Sequence, residues 1–390
     1  MVIVITKFIL LQKIFVMIYR ELEQIIRSKS SSGKAIILLG PRQTGKTTLI
    51  KKIVNDFDGH FFLNCDNPFA KTMLEGANTE QLRSIVGKHK VVFIDEAQRV
   101  KNIGLTLKLI TDEMPDVQLF VTGSSALDLA NEVNEPLTGR KWEYMLYPIS
   151  WKELLDDAGF LEAKMQLENR LIFGMYPEVI TDTGNELEIL TQLSESYLYK
   201  DLLQFQGIRK PEILGKILQA LALQISSEVS FNELSNLLQV DKNTISNYID
   251  LLEKAFIIFR LTPLKRNLRN EISSGRKIYF YDNGIRNSLI ANHNPLALRN
   301  DTGALWENFL ISERRKYLHY NRIWANTYFW RTHAQQEIDY LEERNGKIYA
   351  YEFKWNARKR VRPSKTFLHG YPDAEFKTIT PENMEEFLAE

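Results

Sequence analysis

The segment "KAIILLGPRQTGKTT", Lys34–Thr48, restricts the fold more than any other part of the chain. It joins an apolar run, Ala35–Leu39, to a helix opening at Lys46, and Gly40–Thr47 spells G-x-x-x-x-G-K-T. A strand, a glycine turn and a helix in that order build the phosphate cradle of a parallel α/β sheet. Gly40 and Gly45 let the backbone turn its N–H groups onto phosphate, and the helix N-terminus adds its positive dipole end. Lys46 reaches the β- and γ-phosphates, and the Thr47 hydroxyl serves Mg²⁺. The expected nucleotide contacts are Gly40, Pro41, Arg42, Gln43, Thr44, Gly45, Lys46, Thr47 and Thr48. The bland alternative, a glycine turn with a solvated lysine, leaves the flanking strand and helix without a purpose.

Downstream, "KVVFIDEAQRV" sets Asp95 and Glu96 after Val91–Ile94, a continuous apolar run of the kind buried in a central parallel strand. Ligands of open α/β sheets bind at the carboxyl ends of strands, so Asp95 is expected to hold Mg²⁺ through water and Glu96 to polarise the attacking water. A third strand, "VQLFVTGSS", follows an amphipathic helix over 103–114. If it inserts between the first two strands, Thr122 or Ser124 comes beside the γ-phosphate; otherwise these residues form a polar turn. Arg140, in "LTGRKWEYMLYPIS", is either an arginine finger or a surface charge.

Composition narrows the partners. With 390 residues, the chain has room for two or three domains. A net charge of +1 confines any nucleic-acid contact to local basic patches. Cys65 is the single cysteine, which excludes a disulfide framework and suits a reducing cytoplasm. Lys7, Gln12 and Lys13 interrupt the apolar N-terminal run, so no membrane span is expected there, and Met17 reads as the start after an extension of residues 1–16.

The series "GPRQTGKTT", "VVFIDEAQRV", "VTGSSALDL", "LTGR", "LYPISWKEL" and "YPEVI" resembles the bacterial and archaeal AAA-type ATPases related to the archaeal-ATPase group. The resemblance runs from about Met17 to near the C-terminus. It implies ATP binding and hydrolysis through Lys46, Thr47, Asp95 and Glu96, and a C-terminal half of undefined purpose.

Residues 151–225 have helical periodicity and read as a lid and linker. Within Ser230–Leu261, a short helix, the turn Gln239-Val240-Asp241 and a second helix are followed by an extended run and a basic loop, the order of a winged helix-turn-helix. Lys242, Asn243, Thr244 and Asn247, with Lys265, Arg266 and Arg269 of the loop, would then lie on DNA. The alternative is a packing or dimer module, and Asp250 and Glu253 on the second helix would repel phosphate.

In "EIDYLEERNGKIYAYEFKW", Asn345-Gly346 marks a type I′ hairpin. Arg344 then faces Lys347, Tyr340 faces Tyr351, Glu337 faces Lys354, and Asp339 lands opposite Glu352, a repulsive pair. A helical Glu307, then Asp339, then Glu352-x-Lys354 is similar to restriction-endonuclease-like domains, in which carboxylates hold Mg²⁺ and the lysine steadies the reacting water. That resemblance implies a second metal site at Asp339 and Glu352, with Arg358, Lys359, Arg360, Arg362 and Lys365 near a nucleic-acid backbone; the alternative is an inactive scaffold.

The expected architecture is α/β: a P-loop NTPase core with parallel sheet (17–150) and helical lid (151–225), a winged helix-turn-helix (226–280), and a smaller restriction-endonuclease-like α/β domain (281–390). The expected cofactors are ATP and Mg²⁺, with DNA as partner and no membrane. The function that follows is an ATPase whose nucleotide state controls DNA engagement. The rivals are an ATP-driven switch acting on a protein partner or as a homo-oligomer, and an ATP-licensed nuclease.

Overall fold

The computed structural model describes residues 17–30, 32–124, 133, 135–203, 210–265, 275–332, 334–358 and 361–389. Residues 1–16, Arg266, Arg269, Lys359 and Arg360 lie outside the described residues.

A five-stranded parallel sheet contains β1 (Ala35–Leu39), β2 (His60–Asn64), β3 (Val91–Asp95), β4 (Gln118–Gly123) and β5 (Lys141–Met145), in the order β2-β3-β4-β1-β5. Strands β1, β3 and β4 are buried along their whole length, which is why Ala35–Leu39, Val91–Ile94 and Leu119–Val121 run apolar without alternation. Strand β4 lies between β1 and β3, pairing Leu39 with Gly123 and Ile94 with Val121. The carboxyl ends of three strands therefore converge where the phosphate loop leaves β1.

Helices Trp151–Ala158, Phe160–Phe173, Pro177–Thr181, Glu186–Leu203 and Pro211–Leu223 follow. The first is fixed by a capping box in which Ser150 and Glu153 exchange hydrogen bonds with each other's backbone. Helices Phe231–Leu238 and Lys242–Lys254 are joined through Gln239 in the left-handed region and Asp241, whose side chain accepts from the Asn243 N–H. Ile245, Ile249 and Leu252 face inward and are fully buried.

A second sheet has the order β11-β10-β9-β8-β6-β7. Its strands are β6 (Ile258–Pro263), β7 (Lys277–Phe280), β8 (Asn326–Arg331), β9 (Glu337–Arg344), β10 (Lys347–Phe353) and β11 (Glu375–Ile379). The β6–β7 pair that follows these two helices is thus also the edge of the C-terminal sheet, since Thr262 and Pro263 pair with Tyr328 and Phe329 of β8. The helix Thr302–Tyr320 packs on this sheet. One continuous core joins β1 and β4 to Tyr147 and Trp151, and these to Trp306, Phe309 and Tyr351.

Candidate functional site

Around the phosphate loop, backbone geometry requires glycine at Gly40 and Gly45. A Cβ on Gly40 would lie 2.2 Å from the Leu146 carbonyl oxygen, and Gly45 has φ +91° where the helix Lys46–Val54 begins. Lys46 is 5% exposed and its Nζ donates to the carbonyls of Gly40 (2.9 Å) and Pro41 (2.6 Å), so the ammonium lies under the loop's own backbone. The Thr47 hydroxyl is 3.0 Å from both carboxylate oxygens of Asp95. A hydroxyl and a carboxylate in contact are the hard oxygen donors that Mg²⁺ prefers, and a buried ammonium beside them suits the phosphates of ATP. Thr44 is fully buried; Gln43 and Thr48 are exposed.

Thr122 donates to Asp95 Oδ1, which fixes the carboxylate rather than reaching outward. Glu96 follows β3 with left-handed backbone angles, φ 53° and ψ 42°. Its Oε2 accepts from Gln98 Nε2 at 2.5 Å and from the Ser124 hydroxyl at 3.3 Å. Ser124 therefore belongs beside Glu96, as the inserted strand requires. Gln98 escaped the sequence reading, because it follows the Asp-Glu pair on a short turn whose path the sequence does not specify.

Arg140 does not join this site. Its backbone oxygen accepts from the Ala35 N–H, and β5 starts level with the amino end of β1, whereas the phosphate loop leaves the carboxyl end. At a rise of about 3.3 Å per residue, the length of the strand separates them. The Arg140 side chain pairs instead with Asp112 at 2.5 Å. From outside the loop, Arg20 does touch it, buried at 4% exposure. It donates to the carbonyls of Thr44 and Tyr147, both at 2.6 Å, and pairs with Glu153 at 3.1 Å. The Tyr147 N–H in turn donates to the hydroxyl of Tyr320, at the end of the 302–320 helix. No local motif marks Arg20, since all its partners are distant in sequence.

That same helix carries Glu307 to the second cluster. The hairpin has the expected register, with Arg344 opposite Lys347 and Tyr340 opposite Tyr351, and both turn residues have positive φ. Asp339 and Glu352 do come together, but cations already attend them. Lys354 Nζ donates to Glu352 at 2.8 Å and lies 3.8 Å from Asp339, while the Phe353 N–H donates to Asp339 at 2.8 Å. Glu337 does not hold Lys354; it pairs with Lys277 of β7 at 2.5 Å. Lys277 Nζ also donates to Glu307 at 3.0 Å, and the Tyr279 hydroxyl donates to Glu307 at 2.6 Å. Burial pushes the Glu307 carboxyl up to about 7, against the pull of Lys277. Burial also opposes the charge on Lys277, but Glu307 and Glu337 outweigh it and hold the ammonium protonated beyond its ordinary range. Burial raises Asp339 and Glu352 as well. Among the described residues, no group of three or more His, Cys, Asp or Glu side chains is placed to hold a metal ion.

On the helix Lys242–Lys254, Lys242, Asn243 and Asn247 are exposed and Thr244 is half-buried, as is Lys265 after β6. Arg260 pairs with both Asp250 (2.7 Å) and Glu253, so one guanidinium from β6 offsets part of the charge of the two acids. Thr244, Asn247 and Lys254 line an open groove with Lys210. Among the described residues, no helix is long and apolar enough to cross a membrane.

Residues 32–155 match the family model described as an AAA domain, and the phosphate loop, Asp95 and Glu96 all fall inside the matched stretch. Residues 164–296 match a domain of unknown function (DUF8612), and residues 302–383 match another (DUF4143). An uncharacterized Mycobacterium tuberculosis protein is 28% identical over 342 residues, covering 86% of this chain and 73% of its own. An uncharacterized Methanocaldococcus jannaschii protein is 23% identical over 379 residues, covering 91% and 82%. A signal-transduction ATPase with a tetratricopeptide repeat sensor from Pyrococcus horikoshii superposes with a TM-score of 0.31 at 12% identity over 78% of this chain and 45% of that one, too distant to bear on fold or function.

Proposed function

We propose that the chain is a Mg²⁺-dependent ATP-binding and ATP-hydrolysing protein whose nucleotide state controls how its C-terminal half engages DNA. The observation that carries the ATPase reading is the contact of the Thr47 hydroxyl with both oxygens of Asp95, with Lys46 buried beside them. ATP would draw Lys46 from the carbonyls of Gly40 and Pro41 onto its β- and γ-phosphates, an exchange of neutral for anionic acceptors. Thr47 and Asp95 would hold the metal, Asp95 through water. Mg²⁺, when bound, supplies charge neutralisation on the phosphate oxygens. Glu96 would polarise the attacking water, and Ser124 would fix Glu96.

Control of the C-terminal half is supported by the chain of contacts from Thr44 through Arg20 and Tyr147 to Tyr320. DNA engagement is supported by the exposed Lys242, Asn243 and Asn247, and by Arg260, which reduces the repulsion expected from Asp250 and Glu253. The fold would be a winged helix fused to a restriction-endonuclease-like domain. A second reading, favoured by Lys277 between Glu307 and Glu337, makes that domain a non-cleaving scaffold within an ATP-driven protein-interaction switch. ATP turnover with and without duplex DNA separates the two. DNA-stimulated turnover that Glu96→Gln abolishes supports control of DNA binding, and turnover indifferent to DNA leaves the switch.

A further inference from the structure

We infer that Gln98 is a positioning residue for ATP hydrolysis: its Nε2 holds the Glu96 carboxylate, and its Oε1 takes one hydrogen of the water that Glu96 polarises. The inference rests on the role of Glu96 proposed above.

Three observations carry it. First, Gln98 Nε2 donates to Glu96 Oε2 at 2.5 Å and to Ser124 Oγ at 2.9 Å, and the Ser124 hydroxyl is 3.3 Å from the same carboxylate oxygen. The three side chains form a closed triangle about Glu96 Oε2, and Glu96 Oε1 takes no part in it. Second, a carboxylate oxygen only accepts, so the amide nitrogen of Gln98 must face it and the amide oxygen must face away. That oxygen, Gln98 Oε1, is buried and has no hydrogen-bond partner among the described residues. A buried carbonyl without a donor is costly, about 1–3 kcal/mol, and such groups await a water or ligand. Third, Glu96 occupies the left-handed backbone region, uncommon for a residue with a side chain, and the turn Ala97–Arg99 that follows brings Gln98 back beside it.

A water between the two side chains would find one acceptor on Glu96 and a second on Gln98. Two acceptors fix both its hydrogens and point its lone pair toward the phosphate, whereas Glu96 alone leaves the water free to rotate. In this arrangement Gln98 touches the attacking water and no atom of ATP. Its contribution is orientation, which elsewhere is worth up to a hundredfold in rate when lost.

The test compares the parent with Glu96→Gln, Gln98→Met, Gln98→Glu and the double variant Glu96→Gln/Gln98→Met. Steady-state ATP turnover is measured beside the Kd of a fluorescent ATP analogue, which also reports that the site has folded. Gln98→Met keeps the length and bulk but loses both polar atoms. Its kcat should fall on the order of ten- to a hundredfold with Kd unchanged. Gln98→Glu keeps an acceptor but sets a like charge against Glu96, and should fall at least as far. Because Gln98 acts through Glu96, the double variant should turn over no more slowly than Glu96→Gln alone. A Gln98→Met protein with parental kcat, or losses that multiply in the double variant, overturns the inference while leaving Glu96 in place. Full turnover by Glu96→Gln overturns the role of Glu96 and this inference with it.

Discussion

Lys277 Nζ lies 3.0 Å from Glu307 Oε1, so a buried ammonium from β7 neutralises the carboxylate that the 302–320 helix brings to the C-terminal sheet. Glu337 completes the pairing at 2.5 Å. The acidic cluster thus carries its own cation, supplied by the strand that pairs with β6. Replacing Lys277 with Met should destabilise the fold by about 3–5 kcal/mol, because breaking a buried ion pair leaves charge without compensation. Urea unfolding measures the loss, and a change within 0.5 kcal/mol or so would mean that Lys277 is dispensable there.

The same pair predicts a dependence on pH. With its folded-state value near 7, Glu307 binds its proton more tightly in the native chain than in the unfolded one. Its contribution is therefore fully present below the unfolded carboxylate range and is lost as pH rises through about 7. Glu307→Gln should flatten the fall in unfolding free energy between roughly pH 5 and 7.5. If the parent and the variant have parallel pH profiles, Glu307 is not the group responsible.

For the nucleotide site, Lys46→Ala should weaken ATP binding, since the ammonium beneath the carbonyls of Gly40 and Pro41 is removed. Glu96→Gln should retain binding and slow hydrolysis on the order of a hundredfold or more. Isothermal titration and turnover measured on the same preparations separate the two effects.

Divalent ions offer a direct check of the carboxylate cluster. In a Lys46→Ala background without ATP, Mn²⁺ should leave the melting temperature unchanged and supercoiled DNA uncut, because Lys354 and Lys277 already compensate the acids. Mn²⁺-dependent nicking that Glu352→Gln removes would restore the nuclease reading.

If the helix Lys242–Lys254 lies on duplex DNA, Lys242→Ala should weaken binding to all sequences alike. The slope of log affinity against log salt should then drop by about 0.9. An unaltered slope would assign the exposed helix face to a protein partner.

The sequence by itself determined whatever depends on short-range pattern. The phosphate loop, the burial of β1 and β3, the turn at Gln239–Asp241 and the register through Asn345-Gly346 each follow from spacing that a strand or helix imposes on neighbours. Lys46, Thr47, Asp95 and Glu96 were legible because motif and strand end coincide. The charge partners were decided by the tertiary structure. Arg140 turned to Asp112 because β5 runs parallel to β1 and starts at its far end. Glu337 took Lys277 rather than Lys354 because β6 joins β8, and this sets β7 at the edge beside the 302–320 helix. Arg20 and Gln98 gained their contacts only when distant or turned-back backbone placed acceptors within reach. Side-chain charges act through distance in space, and which strand neighbours which is a non-local choice that no single stretch of this chain encodes.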